Sequence, residues 1–342
     1  MSFTRFEPVL QFADGSTPLR PTACTPRATD DADATTLAVL SDVHLATDAA
    51  GTWKVFHRTE RHLQAAVSGV NDRQIDGVVV AGDLSRDGTP EQFDRFDELA
   101  EFDPPMVAVP GNHDLPTAFD DHRSASIASF EERYTPGGLP FRTRFGRLEV
   151  IGLNSHAAAP DAPAKTWDGQ VSAEQLMWLD ETLADSDVDA TIVTVHHNLP
   201  ATGDLYERYR AELPVGGTVP GFSNPEPLVE LLASYDAPLV VTGHLHFPAI
   251  ERTDGVRELT VPAVSSFPHS MLVLEIDQRG TVVRSVPLTD GDGMVESIAH
   301  GYEKDRVLLS AAQQATFPLV DELESTRDAE RDSQPTDRVD YS

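Results

Sequence analysis

The chain has 342 residues, with 56 acidic against 26 basic side chains and a formal net charge of −30. Hydrophobic residues make up 40%, a globular rather than a disordered composition. No Lys/Arg cluster is present to neutralise many phosphates, which argues against a nucleic-acid partner, and no run of about twenty apolar residues is present to span a bilayer.

Only three lysines occur (Lys54, Lys165 and Lys304), and the acids are spread along the whole chain. Molar salt shrinks the screening length to about 3 Å and removes most of the self-repulsion such a charge creates. The pattern predicts a protein of a salt-in halophile. The lone Cys24 rules out an internal disulfide, and Met1-Ser2-Phe3-Thr4-Arg5-Phe6 lacks a signal-peptide layout. Both features predict a reducing cytoplasm.

In chain order, residues 1–35 read as an irregular N-terminal extension with Pro8, Pro18, Pro21 and Pro26. Residues 36–290 alternate short apolar runs with amphipathic segments and read as one α/β domain. Strands are predicted at Leu37–Leu40, Val78–Val80, Met106–Val109, Leu148–Leu153, Thr191–Val195 and Leu239–Val241. Thr89-Pro90-Glu91-Gln92 is a capping box that opens a helix to about Ala100. Ser172-Ala173-Glu174-Gln175 repeats the signal before Leu176, Leu179 and Leu183, and Asn224-Pro225 opens a third helix. Met271–Ile276 and Thr281–Val286 flank Asp277-Gln278-Arg279-Gly280, a hairpin signal. Residues 291–342 read as an acidic C-terminal extension, disordered over Glu322–Ser342.

The residues that close the apolar runs carry the chemistry. Leu40 leads into Ser41-Asp42-Val43-His44, Val80 into Ala81-Gly82-Asp83, and Val109-Pro110 into Gly111-Asn112-His113-Asp114. Val195 ends in His196-His197, and Val241-Thr242 in Gly243-His244-Leu245-His246. These are ligand types for borderline metals, and open α/β sheets build sites at the carboxyl ends of strands. The candidates Asp42, His44, Asp83, Asn112, His196, His244 and His246 are more than one four-coordinate ion needs, but they suit two metals sharing a bridging carboxylate. Two carboxylates against two divalent ions leave the site positive, which favours an anionic substrate such as a phosphate.

The order D-x-H, GD, GNHD, H and GHxH resembles the calcineurin-like metallophosphoesterases over roughly residues 36–287. The resemblance implies a four-layer sandwich of two mixed β-sheets flanked by helices. It implies that Asp42, His44 and His246 hold one metal, that Asn112, His196 and His244 hold the other, and that Asp83 bridges them. His196 is chosen over His197 because the family's motif begins with the ligand. His113 would assist the leaving oxygen while Asp114 orients it, as a hydroxide between the metals attacks phosphorus. The metals implied are Mn, Fe, Zn or Co, the substrate a small phosphoester, and a homodimer is common in such proteins.

Gly152-Leu153-Asn154-Ser155, Gly169-Gln170-Val171-Ser172 and Gln175-Leu176-Met177-Trp178-Leu179 resemble the class III cyclic-nucleotide phosphodiesterase and Icc-like branch. That favours a phosphodiesterase. The alternatives are a phosphomonoesterase, a nuclease of the same fold, or a metal-binding scaffold for other proteins. Asn154 and His156 either line the pocket or, for Asn154, satisfy backbone groups at a strand end. His269 is expected outside the site. The pocket walls are expected from loops at Ala157–Thr166 and Thr202–Pro220.

Overall fold

Leu37-Ala38-Val39-Leu40 is apolar at every position because the strand it forms is covered on both faces. Leu37 and Val39 point into one buried cluster, Ala38 and Leu40 into another. This period-2 split organises the computed structural model, which describes residues 9–13, 34–118, 124–156, 166–188, 190–213, 220–235, 239–277 and 280–316. Cys24, Lys165 and Glu322–Ser342 lie outside the described residues.

The strands are β1 (Val9–Ala13), β2 (Thr35–Leu40), β3 (Gly77–Val80), β4 (Met106–Ala108), β5 (Phe141–Phe145), β6 (Leu148–Gly152), β7 (Ala190–Thr194), β8 (Leu239–Thr242), β9 (Ala249–Thr253), β10 (Val256–Thr260), β11 (Ser270–Asp277) and β12 (Gly280–Pro287). The helices are α1 (Thr59–Asn71), α2 (Pro90–Leu99), α3 (Ile127–Tyr134), α4 (Ala173–Ala184), α5 (Pro200–Arg210), α6 (Pro225–Ser234), α7 (Gly291–Gly301) and α8 (Asp305–Gln314). A 3-10 turn at Phe56–Arg58 precedes α1.

Two six-stranded mixed sheets result, ordered β1-β12-β11-β2-β3-β4 and β5-β6-β7-β8-β10-β9. Leu37, Val39, Val79 and Val107 of the first sheet meet Val150, Ile192, Val241 and Leu259 of the second in the central core. Helices α1, α2 and α3 cover the first sheet's outer face through Leu63, Phe93, Phe96 and Phe130. Helices α4 and α6 cover the second through Leu179, Leu228 and Leu232. The expected four-layer arrangement is present. In each sheet a parallel set, β2-β3-β4 and β6-β7-β8, sends its carboxyl ends the same way.

The predicted caps form on α2 and α4, where Thr89 Oγ1 and Ser172 Oγ accept from the backbone N–H groups of Gln92 and Gln175. Asn224 does not cap α6; its amide instead pairs with both backbone groups of Val171. The β11–β12 hairpin pairs Asp277 with Gly280, while Gln278 and Arg279 lie outside the described residues. Two segments read as extensions carry structure. Val9–Ala13 pairs antiparallel with β12. Gly291–Gly301 and Asp305–Gln314 are helices, and Leu309 of α8 packs with Leu205, Tyr206 and Phe247.

His62 and His269 lie against each other with ring centroids 4.3 Å apart and ring planes tilted by 44°, and each has Nδ1 on the Val264 carbonyl. That carbonyl can only accept, so each Nδ1–H donates. Burial, with the partner ring adding to it, pushes His62 down to about 3. Burial likewise pushes His269 down to about 4. Both stand below the unfolded value, so acid favours the unfolded chain from about pH 6.5 downward, until the folded rings also charge near pH 4. Arg61 opposes and Glu296 aids protonation of His62. Urea unfolding should show stability lower at pH 5 than at pH 7, with the two rings together accounting for roughly 2–4 kcal/mol. A His62→Gln/His269→Gln variant should lose that part of the slope; an unchanged slope would contradict the assignment.

Candidate metal centre

Backbone bonds stitch the end of β2 to that of β3, and the end of β7 to that of β8. Asp42 N–H donates to Gly82 O at 3.0 Å, His44 N–H to Asp83 O at 2.9 Å, and Gly243 N–H to His196 O at 2.9 Å. The chain turns sharply to deliver the side chains. Asp42, His44, Asp83, His244 and His246 all have positive φ, between 44° and 66°. A left-handed conformation costs a non-glycine residue roughly 1–2 kcal/mol. Five such residues at one locus store strain of the kind that clusters at functional sites. Gly111 serves a different need, close approach: a Cβ there would overlap Asp83 Oδ1 and the Asp83 amide.

All seven predicted ligand residues are brought together and buried. One group comprises Asp42, His44 and His246. Its ring nitrogens His44 Nε2 and His246 Nε2 lie 3.2 Å apart, and Asp42 Oδ1 is 3.1 Å from the latter. The other comprises Asn112, His196 and His244, with Asn112 Oδ1 at 3.1 Å from His196 Nε2 and 2.8 Å from His244 Nδ1. Asp83 Oδ2 stands between them, 3.3 Å from His44 Nε2 and 3.4 Å from His196 Nε2.

The unused faces of these groups are tied down, which aims the remaining lone pairs inward. His196 Nδ1–H donates to Ala81 O at 2.8 Å, and His244 Nε2–H to Pro220 O at 3.2 Å. His246 Nδ1 meets Ser266 Oγ at 2.7 Å. Asp42 Oδ2 accepts from Ser41 Oγ and from the His244 amide. Asp42 Oδ1 accepts no well-aligned hydrogen bond although it is buried. A buried carboxylate oxygen left over, among converging imidazole nitrogens, is a donor set for a cation. Burial alone would push both carboxyls up. His246 holds Asp42, and His196 holds Asp83, well below the usual carboxylate range. Burial works against a charged His196, yet the Asp83 carboxylate raises it to about 9. In the chain alone, the His196 imidazolium does beside Asp83 what a bound cation would do, while burial pushes His246 down to about 3 and keeps it neutral.

The motif region matches the family model for calcineurin-like phosphoesterases over residues 35–248. The chain belongs to this family. It is therefore a hydrolase of phosphoric ester bonds, from a family whose members work with two metals. A Synechococcus protein named a probable cyclic nucleotide phosphodiesterase is 27% identical over 272 residues, covering 77% of this chain and 96% of its own. The 3′,5′-cyclic adenosine monophosphate phosphodiesterase CpdA of Escherichia coli K12 is 26% identical over 219 residues, covering 62% of this chain and 70% of its own. A dimetal phosphatase from Danio rerio shares the fold, with a TM-score of 0.55 at 16% identity, covering 75% of this chain and 97% of that one.

The other predicted residues of this phosphoesterase separate. His113 lines the cavity in front of the cluster, with Nδ1 donating to Arg86 O at 2.8 Å. Asp114 has a task other than the orienting contact expected. Its carboxylate accepts from the backbone N–H groups of Leu84, Ser85 and Gly111 and from Ser85 Oγ, so it ties the two loops that carry Asp83 and Asn112. His197 is held by Ser155 Oγ and the Trp167 carbonyl, outside the cluster that His196 joins. Asn154 Oδ1 accepts from the His156 amide, the strand-end alternative, and His156 Nε2 meets Pro116 O. Of the two expected wall loops, Pro200–Arg210 is helix α5, and residues 157–165 and 214–219 lie outside the described residues.

Sequence reasoning missed six side chains that line the cavity, which has a volume of about 300 Å³: Trp53, Lys54, Trp167, Lys304, Asp305 and Arg306. Lys54 Nζ is 3.0 Å from His44 Nε2 and 3.4 Å from His113 Nε2. Its ammonium and a metal on His44 would compete for one lone pair. Trp53 lies beside the His246 ring at 5.1 Å, and Trp167 stacks on His113 at 5.3 Å. Arg306 comes from α8. The rarity of lysine in this chain was the available signal for Lys54.

Gly111→Ala tests the close approach. The variant should stay folded by circular dichroism but hold one metal or fewer by elemental analysis, against about two for the native chain. Full metal content in the variant would show that Asp83 does not need that gap.

Proposed function

We propose that this phosphoesterase is a dinuclear phosphodiesterase for small substrates, 3′,5′-cyclic nucleotides being the class named for its relatives. The reading is carried by one observation: Asp83 Oδ2 lies within 3.4 Å of one nitrogen from each ligand trio. Asp42, His44 and His246 would hold one ion, and Asn112, His196 and His244 the other, with Asp83 shared. A set of nitrogen and oxygen donors without thiolate suits Mn, Fe or Zn. Bound divalent ions supply Lewis acidity at phosphorus and a nucleophile at neutral pH.

The chain's own residues do the rest. The carbonyls of Ala81 and Pro220 fix which nitrogen of His196 and of His244 faces inward. His113 Nδ1–H is committed to Arg86 O, so Nε2 is the atom that meets the leaving oxygen. Burial and the Lys54 charge disfavour a charged His113, and the Asp83 carboxylate favours it. An arriving phosphoryl anion adds to the second influence, so that Nε2 gains the proton it donates as the ester bond breaks. Trp167, stacked on the ring, limits its rotation. A cavity of about 300 Å³ suits a small molecule rather than a polymer. The acid surplus and the scarcity of lysine support a salt-rich cytoplasm as the working environment.

Hydrolysis of bis(p-nitrophenyl) phosphate and p-nitrophenyl phosphate, with Mn²⁺ in molar KCl, should favour the diester, and 3′,5′-cyclic AMP should be cleaved. Preference for the monoester would overturn the diesterase reading. His113→Ala should retain its metals but lose about 10²- to 10⁴-fold in kcat. Full turnover by that variant would remove His113 from the chemistry.

A further inference from the structure

The family match ends at residue 248, yet α8 reaches the cavity. Its first two turns are fixed to the loop that carries two metal-ligand candidates. Arg306 Nη1 donates to His244 O at 2.9 Å, and Ser310 Oγ donates to His246 O. Arg210 Nε pairs with Asp305 at 2.7 Å, and Leu309 sits in a buried cluster with Leu245 and Phe247. The Arg306 guanidinium lies over Trp53, 5.7 Å from the ring centroid. It is thus held on two sides.

This placement concentrates positive charge where the chain otherwise has little. The protein carries −30 overall and three lysines. Both lysines among the described residues, Lys54 and Lys304, line this cavity together with Arg306. Asp305, at the same rim, is already paired with Arg210. Two divalent ions against Asp42 and Asp83 already leave enough positive charge to bind one phosphodiester anion. Lys304 and Arg306 exceed that need. A guanidinium has five N–H donors, and His244 O takes one of them, which leaves a face suited to a planar, bidentate anion.

The geometry points to a second anion subsite at the cavity mouth, with Arg306 as its specificity-determining residue and Lys304 beside it. Alongside the singly charged 3′,5′-cyclic nucleotides, the site then takes, and binds more tightly, an open diester that carries a second anionic group, carboxylate or phosphate, on the arm that leaves the metal-bound phosphoryl. The inference rests on the phosphodiesterase reading for its reaction but not for its binding.

Calorimetric titration of the Mn²⁺-loaded protein at moderate salt tests it, with three methylphosphonate monoesters whose arms end in a methyl ester, a carboxylate or a phosphonate. The native protein should bind one or both charged arms about tenfold tighter than the capped arm. Which charged arm gains more identifies the anion. Arg306→Gln should bring the ratio to about twofold or less, Arg306→Lys should keep part of it, and Lys304→Gln, altering an exposed side chain, should lower it without loss of metal. A native ratio near one, or a ratio kept in metal-loaded Arg306→Gln, would overturn the subsite. Should Arg306→Gln fail to load metal, the Lys304→Gln ratio decides. A protein that binds charged arms through Arg306 yet hydrolyses no diester would sink the diesterase reading and leave the subsite standing.

Discussion

One carboxylate oxygen sets the conditions for the rest of the molecule. Asp83 Oδ2 has an imidazole nitrogen on either side, and its partner Oδ1 is held by the His113 amide at 2.9 Å. For that oxygen to serve two ligand trios, ends of strands from two different sheets must meet within a few ångströms. The parallel sets β2-β3-β4 and β6-β7-β8, packed face to face, bring them there. Buried carboxylates and imidazoles with inward lone pairs are costly unless a cation joins them. The fold carries that cost, along with five left-handed candidate ligand residues, so that the donor set is aimed inward by the chain itself.

Much of this was legible because each motif is local. An apolar run ending in Asp, Asn or His names both a strand and what stands at its carboxyl end. Asp42, Asp83, Asn112, His196 and His244 could therefore be placed on one edge without knowing the strand order. The caps on α2 and α4 were legible for the same reason: Thr89 and Ser172 act within three residues of themselves.

What was not legible depends on tertiary proximity. Asp114 comes directly after His113 and invites an orienting role, but the loop geometry turns its carboxylate to the amides of Leu84, Ser85 and Gly111 instead. Lys54 and Trp53 belong to a connection without motif or period, and they matter only because that connection folds over His44 and His246. Arg306 lies in acidic, polar text more than fifty residues beyond the last motif. Only the docking of α8 on α5, through Arg210 and Asp305, shows that it reaches the same cavity. The positive φ values at Asp42 and His246 carry no sequence signal either, since neither is glycine.

The central claim is that Asp83 joins two ions into one centre. Electron paramagnetic resonance of the native protein titrated with Mn²⁺ addresses it most directly. The account predicts that the signal of a spin-coupled pair appears as the second equivalent binds, and that Asp83→Asn loses this coupling. A native spectrum of isolated, uncoupled ions at full loading would contradict a shared carboxylate and the reading of the site built on it.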